Sequence, residues 1–184
     1  MRTCIVYGTK RGATAKVAKL IGETLQALGV DVVVRTVKEA SIEDCDLVVV
    51  GTPIYYERPL QEVMRFLDEN EGLEGKKVAV FILCIASRFG KLGRVYTKRQ
   101  YVRKVLEHLR TEPVSVKVFE GWILSEREET LKEARRWAEL LQAKLSKGYK
   151  GLTISSNSVE NVGQSVNPSA DDCTRSRSRL RIRP

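Results

Sequence analysis

The sequence predicts an α/β fold: a doubly wound parallel sheet of five strands in the order 2-1-3-4-5, with helices on both faces. Two observations predict it. Short, nearly uninterrupted apolar runs recur at Thr3–Tyr7, Leu47–Gly51 and Lys77–Cys84, the pattern of strands buried on both sides. Between them lie longer segments whose apolar residues follow helical spacing, and that alternation is what a parallel sheet requires. Right-handed crossovers then leave few topologies for five such strands.

Each element can be justified in turn. Thr3–Tyr7 is the first strand. Ala13–Leu28 places Val17, Leu20, Ile21, Leu25 and Leu28 at helical spacing and ends at Gly29, a residue that commonly terminates helices. Val30–Val37 is β-branched and strand-like, and Leu47–Gly51 is a buried strand. Leu60–Asn70 is a short helix with Val63, Met64 and Leu67 on one side. Lys77–Cys84 is the fourth strand. Tyr96–Leu109 reads as a helix stopped before Pro113, because the residue before a proline is pushed out of helical geometry. Val114–Gly121 is the fifth strand. Glu126–Leu145 is a long amphipathic helix with Leu131, Ala134, Ala138, Leu141 and Leu145 turned inward.

Composition bounds the function classes. The 184 residues are 42% hydrophobic and 30% charged, enough for one ordinary domain at 1–148. No apolar run approaches the roughly 18 residues of a membrane span, and the N-terminus enters a strand without a signal-like apolar stretch; a cytoplasmic location is expected. Four cysteines and one histidine, with no C-x-x-C pair, argue against a zinc site. Cys4 and Cys84 fall in strand-like runs and read as buried thiols, and no disulfide framework is expected. Residues 149–184 are rich in Ser and Asn, lack periodicity, and end by alternating arginine with Ser, Leu or Ile from Arg175 to Arg183. They read as a disordered tail.

The chemistry sits in the loops. After the first strand comes Tyr7-Gly8-Thr9-Lys10-Arg11-Gly12-Ala13-Thr14, opening a helix. Small and hydroxyl residues at such a turn point backbone N–H groups at one spot, and the helix N-terminus adds partial positive charge. The result suits a phosphate. The Walker and dinucleotide patterns are both absent. A phosphatase loop needs an arginine six residues after its cysteine, and Cys4 and Cys84 are followed there by Lys10 and Gly90. About 40 residues on, where the fold places the neighbouring strand end, stands Gly51-Thr52-Pro53-Ile54-Tyr55-Tyr56-Glu57-Arg58-Pro59. Its tyrosines offer flat π faces to a flat ring. A third loop, Cys84-Ile85-Ala86-Ser87-Arg88-Phe89-Gly90, follows the fourth strand.

The T-x-x-G-x-T turn formed by Thr9, Lys10, Arg11, Gly12, Ala13 and Thr14, joined to a G-[ST]-P-x-aromatic segment at this spacing, resembles the flavodoxins. The resemblance covers about residues 1 to 145. It implies a flavodoxin-like three-layer sandwich and FMN as cofactor. In that pattern Thr9–Thr14 hold the phosphate, while Thr52, Pro53, Ile54, Tyr55 and Tyr56 cradle the ring. Ile85, Ala86, Ser87, Arg88 and Phe89 would cover its other side, with backbone N–H groups of Ile85–Ser87 on the pyrimidine edge. Within that group the phrases IVYGTKRGATAKVAKLIGETL and DLVVVGTPIYYERPLQEVMRFL, with the basic stretch Arg99–Leu106, are similar to the menaquinone-dependent protoporphyrinogen dehydrogenases. That narrower likeness implies a porphyrinogen donor and a quinone acceptor. Three departures stand out. The family's extra segment near the fifth strand is missing; the chain is basic where carriers are acidic; and the ring loop has Tyr56-Glu57-Arg58 with no glycine.

The net charge of +9 favours acidic partners, such as an acidic small-molecule substrate; the resemblance adds a redox partner protein or a quinone. It reads mainly as solvated helix faces, so a dedicated nucleic-acid role is not expected, although a nucleic-acid module and a cofactor-free scaffold are the rival classes. Arg58, Arg88, Lys91 and Arg94 stand near the ring segments in sequence. His108 reads as a helix-terminus cation. Neither a catalytic acid or base nor a metal ligand is expected. The sequence leaves open peripheral membrane contact and a homodimer.

Overall fold

The computed structural model describes residues 1–85, 90–123 and 125–147. The expected tail, 149–184, and the loop residues Ala86–Phe89 lie outside them. The described residues form strands β1 (Arg2–Tyr7), β2 (Asp31–Thr36), β3 (Leu47–Tyr55), β4 (Arg58–Pro59), β5 (Lys77–Cys84) and β6 (Ser115–Glu120). The helices are α1 (Ala13–Ala27), α2 (Gln61–Glu69), α3 (Gly90–Thr97), α4 (Arg103–Glu107) and α5 (Glu128–Ser146), with a π-helical turn at Lys98–Val102 joining α3 to α4.

The parallel sheet runs β2-β1-β3-β5-β6. This is the expected 2-1-3-4-5 order with the two-residue β4 added, antiparallel, to the end of β3. The register aligns Tyr7 with both Thr36 and Gly51, Gly51 with Phe81, and Cys84 with Glu120. The carboxyl ends of the strands therefore open at one edge.

The two sheet faces bury separate cores. One joins Ile5, Val49, Phe81 and Phe119 to α1 and α5; the other joins Val6, Val48, Val80 and Ile82 to α2 and α4. In the first, Phe81, Phe119 and Trp137 meet edge to face with centroids 5.9–6.3 Å apart. Gly51 admits this arrangement: a Cβ there would lie 2.2 Å from Phe81 Cζ.

Several expectations need correction. Helix α1 ends at Ala27, and Leu28 is its exposed C-cap. Helix α3 begins at Gly90, six residues before the expected Tyr96, because Gly90 and Gly93 weaken the helical signal of its first turns. Strand β3 runs four residues past Gly51. Cys4 is no thiol: it is disulfide-bonded to Cys45, with Cα atoms 5.8 Å apart. The two cysteines are 41 residues apart in sequence, but Cys45 precedes β3, whose Leu47 pairs with Thr3, so the turn before β3 brings it beside β1. Cys84 is a buried thiol, its Sγ 3.8 Å from Thr97 Oγ1.

Candidate functional site

The turn from β1 into α1 is built around Gly12. Thr9 Oγ1 accepts the Gly12 N–H at 3.1 Å, closing the turn on itself. Gly12 has φ +83°, a left-handed conformation in which an L side chain is strained. The first backbone bond of α1 runs from Lys16 N–H to Gly12 O at 3.0 Å. The N–H groups of Ala13, Thr14 and Ala15 come before it, and no side chain of the N-cap covers them. A helix start of this kind leaves donors aimed outward with the positive end of the helix dipole behind them. Thr14 itself is buried, while Lys10, Arg11 and Gly12 are exposed.

The second wall comes from the end of β3. Thr52 is fully buried; its hydroxyl accepts the Leu60 N–H at 3.2 Å and lies 3.3 Å from Pro53 O. It therefore ties the base of the loop to the start of α2. Between these points the chain makes a two-residue hairpin, with Ile54 opposite Pro59 and Tyr55 opposite Arg58. The turn residues Tyr56 and Glu57 have φ +47° and +61°. A hairpin twisted to match its strands demands positive φ at both central positions, which Asn-Gly satisfies easily. Here two side-chain-bearing residues occupy them, at a cost of about 1–2 kcal/mol each. Tyr56 stands 93% exposed at the tip. Tyr55 turns back, and Lys10 Nζ lies 5.8 Å from the centre of its ring.

These two segments share a cavity of about 570 Å³ at the carboxyl edge of the sheet. Lys10 and Arg11 line it from the first turn, Ile54 to Glu57 from the hairpin, and Cys84 from the end of β5 with Ile85 just after it. Of the residues singled out in the sequence, the cavity unites Lys10, Arg11, Ile54, Tyr55, Tyr56 and Ile85. Thr9 and Gly12 shape the adjoining turn, and Thr52 and Pro53 are buried behind the hairpin. Ala86, Ser87, Arg88 and Phe89 lie outside the described residues.

Three lining residues escaped the sequence reading: Tyr101, Trp122 and Ile123. Tyr101 is delivered by the π-helical turn. It is 2% exposed and meets Tyr96 edge to face at 5.5 Å. Burial, reinforced by the Tyr96 hydroxyl, pushes its pKa above the ordinary phenol value. Trp122 and Ile123 follow β6, where Gly121 N–H bonds Cys84 O at 3.1 Å and Thr130 Oγ1 donates to Glu120 O at 2.9 Å. A tryptophan immediately beyond a parallel strand is a signal that could have found this wall, since ligands in such sheets gather at the carboxyl ends of the strands. His108 is remote from the cavity, paired to Asp68 at 2.8 Å.

A slot lined by tyrosines and a tryptophan, adjoining an anion-attracting helix start, fits a flat ring that carries a phosphate. Residues 4–134 match the model of a flavodoxin domain family. A curated flavodoxin from Clostridium saccharobutylicum is 34% identical over 88 residues, 44% of this chain and 54% of the relative. The chain thus spans about half the length of the curated relative it matches. Among solved structures, the flavodoxin of Streptococcus pneumonia TIGR4 superposes with a TM-score of 0.58 at 24% identity, covering 78% of this chain and 99% of that one. A flavodoxin from the domain Archaea gives 0.56 at 21% identity, covering 79% and 99%. These two likenesses speak to the fold.

Proposed function

This chain belongs to the flavodoxin domain family, and from that premise we propose that it holds FMN and works as an electron-transfer protein. The observation that carries the reading is the continuity of the Thr9–Thr14 turn, with its uncapped helix start, and the aromatic cavity it borders. Backbone N–H groups of Ala13–Ala15 would meet the phosphate, and Tyr55 and Trp122 supply flat surfaces for the ring. Bound FMN supplies one- and two-electron redox chemistry. The protein's share is to seat the phosphate, exclude water from the ring, and set the charge around it. Tyr101 keeps a neutral hydroxyl in the cavity wall, while Lys10 brings positive charge to the hairpin side. That charge favours a reduced, anionic ring, by about 1 kcal/mol at most for an exposed cation.

A second, narrower reading is a porphyrinogen dehydrogenase with a quinone acceptor. One observation favours it: the basic stretch Arg99–Leu106 carries Tyr101 into the cavity wall, so a carboxylated substrate would meet cations at the entrance. Among the described residues no helix is long and apolar enough to cross a membrane, and we place either activity in the cytoplasm. The test is an absorption spectrum and mass analysis of whatever the purified protein carries, followed by quinone and porphyrinogen assays. The expected result is yellow protein with one FMN per chain, lost in the Gly12→Glu/Thr14→Ala double variant. Colourless protein that takes up no added FMN overturns the reading.

A further inference from the structure

The entrance to the cavity differs in character from its floor. Of the seven large apolar side chains left exposed among the described residues, Tyr56 and Ile123 line the cavity, and Tyr96, 45% exposed, packs on the lining residue Tyr101. Soluble proteins seldom gather exposed apolar groups at one place without a partner for them. The α3–α4 segment that supplies Tyr96 and Tyr101 holds six lysines and arginines against one carboxylate, Glu107.

Lys10, Arg11, Arg58 and Arg99 make no ion pair among the described residues. Among the described residues Glu57 is the one carboxylate lining the cavity, and Glu120, at the end of β6, and Glu126, on the connection to α5, are taken up by Arg127 and Lys16. A phosphate seated at the first turn offsets charge at Lys10 and Arg11 but leaves the α3–α4 segment positive.

We propose that this apolar-centred, cationic entrance docks an acidic redox protein, one whose own redox centre lies beneath a patch of carboxylates. The inference rests on the FMN reading and names the partner for that same site. An apolar centre lets two surfaces exclude water and approach closely, while the flanking cations steer encounter and fix orientation. A small anion inside the cavity would leave Tyr96 exposed; a protein surface covers it.

The test uses FMN-loaded protein, with loading measured first by absorbance; failure to load indicts the cofactor reading, not the docking one. The reduced holoprotein is mixed in a stopped-flow instrument with either acidic cytochrome b5 or basic cytochrome c. In each case one electron leaves the flavoprotein and reduces the haem iron from Fe(III) to Fe(II), and no covalent bond changes. Raising salt from about 0.01 M to about 1 M shortens the screening length from about 30 Å to about 3 Å. The second-order rate with cytochrome b5 should fall at least about tenfold, whereas that with cytochrome c should stay level or rise. Arg58→Glu/Arg99→Glu should abolish most of the salt-sensitive part with FMN loading unchanged, and Arg99→Ala should give a smaller loss in the same direction. A cytochrome b5 rate that ignores or rises with salt, variants without effect, or tighter binding of a duplex DNA oligomer than of cytochrome b5 would overturn the proposal.

Discussion

Replacing Glu57 by glycine should stabilise the protein, although it deletes a side chain. Glu57 occupies the second central position of the β3–β4 turn at φ +61°, and no hydrogen bond or ion pair of its side chain appears among the described contacts. Its left-handed backbone costs about 1–2 kcal/mol. Glycine removes that cost but adds freedom to the unfolded chain worth about 0.4–1 kcal/mol. At the midpoints of the two ranges, about 1.5 against about 0.7 kcal/mol, the net gain is about 0.8 kcal/mol. For a chain of this size, 1 kcal/mol moves Tm by roughly 2–4 °C, so Glu57→Gly should raise it by about 1–4 °C. Glu57→Gln is the control, since it removes the charge and keeps the strain. The assay is thermal unfolding of the cofactor-free protein, followed by circular dichroism. If Glu57→Gly melts at or below Glu57→Gln, the turn is not strained and the argument from positive φ fails.

Further outcomes follow from the same geometry. Gly51→Ala drives a Cβ into the Phe81 ring, which Phe119 and Trp137 hold in place; denaturant unfolding should show a loss of about 3 kcal/mol, partly recovered by adding Phe81→Leu. Reducing the Cys4–Cys45 bond releases a loop with 41 residues of separation and should cost about 4 kcal/mol, read as a lower urea midpoint; an unchanged midpoint contradicts the pairing. Tyr101 keeps its proton in the folded chain above the ordinary value of 10.0 at which the unfolded chain releases it. Its contribution is therefore complete below about pH 10 and is lost as the pH climbs past that point. Tyr101→Phe should flatten the alkaline fall in stability, and an ultraviolet titration should find a tyrosine that ionises only on unfolding.

The sheet was readable because its strands are apolar on both faces. Val48, Val49 and Val50 are all fully buried, so no alternation obscured them, and Lys77–Cys84 was bounded at both ends as observed. The first turn was readable because its chemistry is local: Thr9 and Gly12 act on each other three residues apart. The features missed are nonlocal or carry the wrong residue types. The β3–β4 hairpin turns on Tyr-Glu where the recognisable signal is Asn-Gly. The π-helical turn that swings Tyr101 into the wall leaves no mark in a 3.6-residue period. Trp122 joins the cavity only because β6 lies beside β5, with Glu120 opposite Cys84. The Cys4–Cys45 bond depends in the same way on the register of β1 with β3.

The account turns on a phosphate seat joined to a ring slot, and two flavins separate those parts. FMN and riboflavin share the ring, and riboflavin lacks the phosphate. Equilibrium titration of the cofactor-free protein with each, followed through the flavin's own fluorescence, measures what the first turn contributes. Two or more charge-assisted hydrogen bonds correspond to about 3 kcal/mol, or roughly a hundredfold in affinity. FMN should bind one to one and at least about a hundred times more tightly than riboflavin, with Gly12→Glu erasing most of that difference. Equal affinity for the two flavins, or no binding of either, would contradict the assignment.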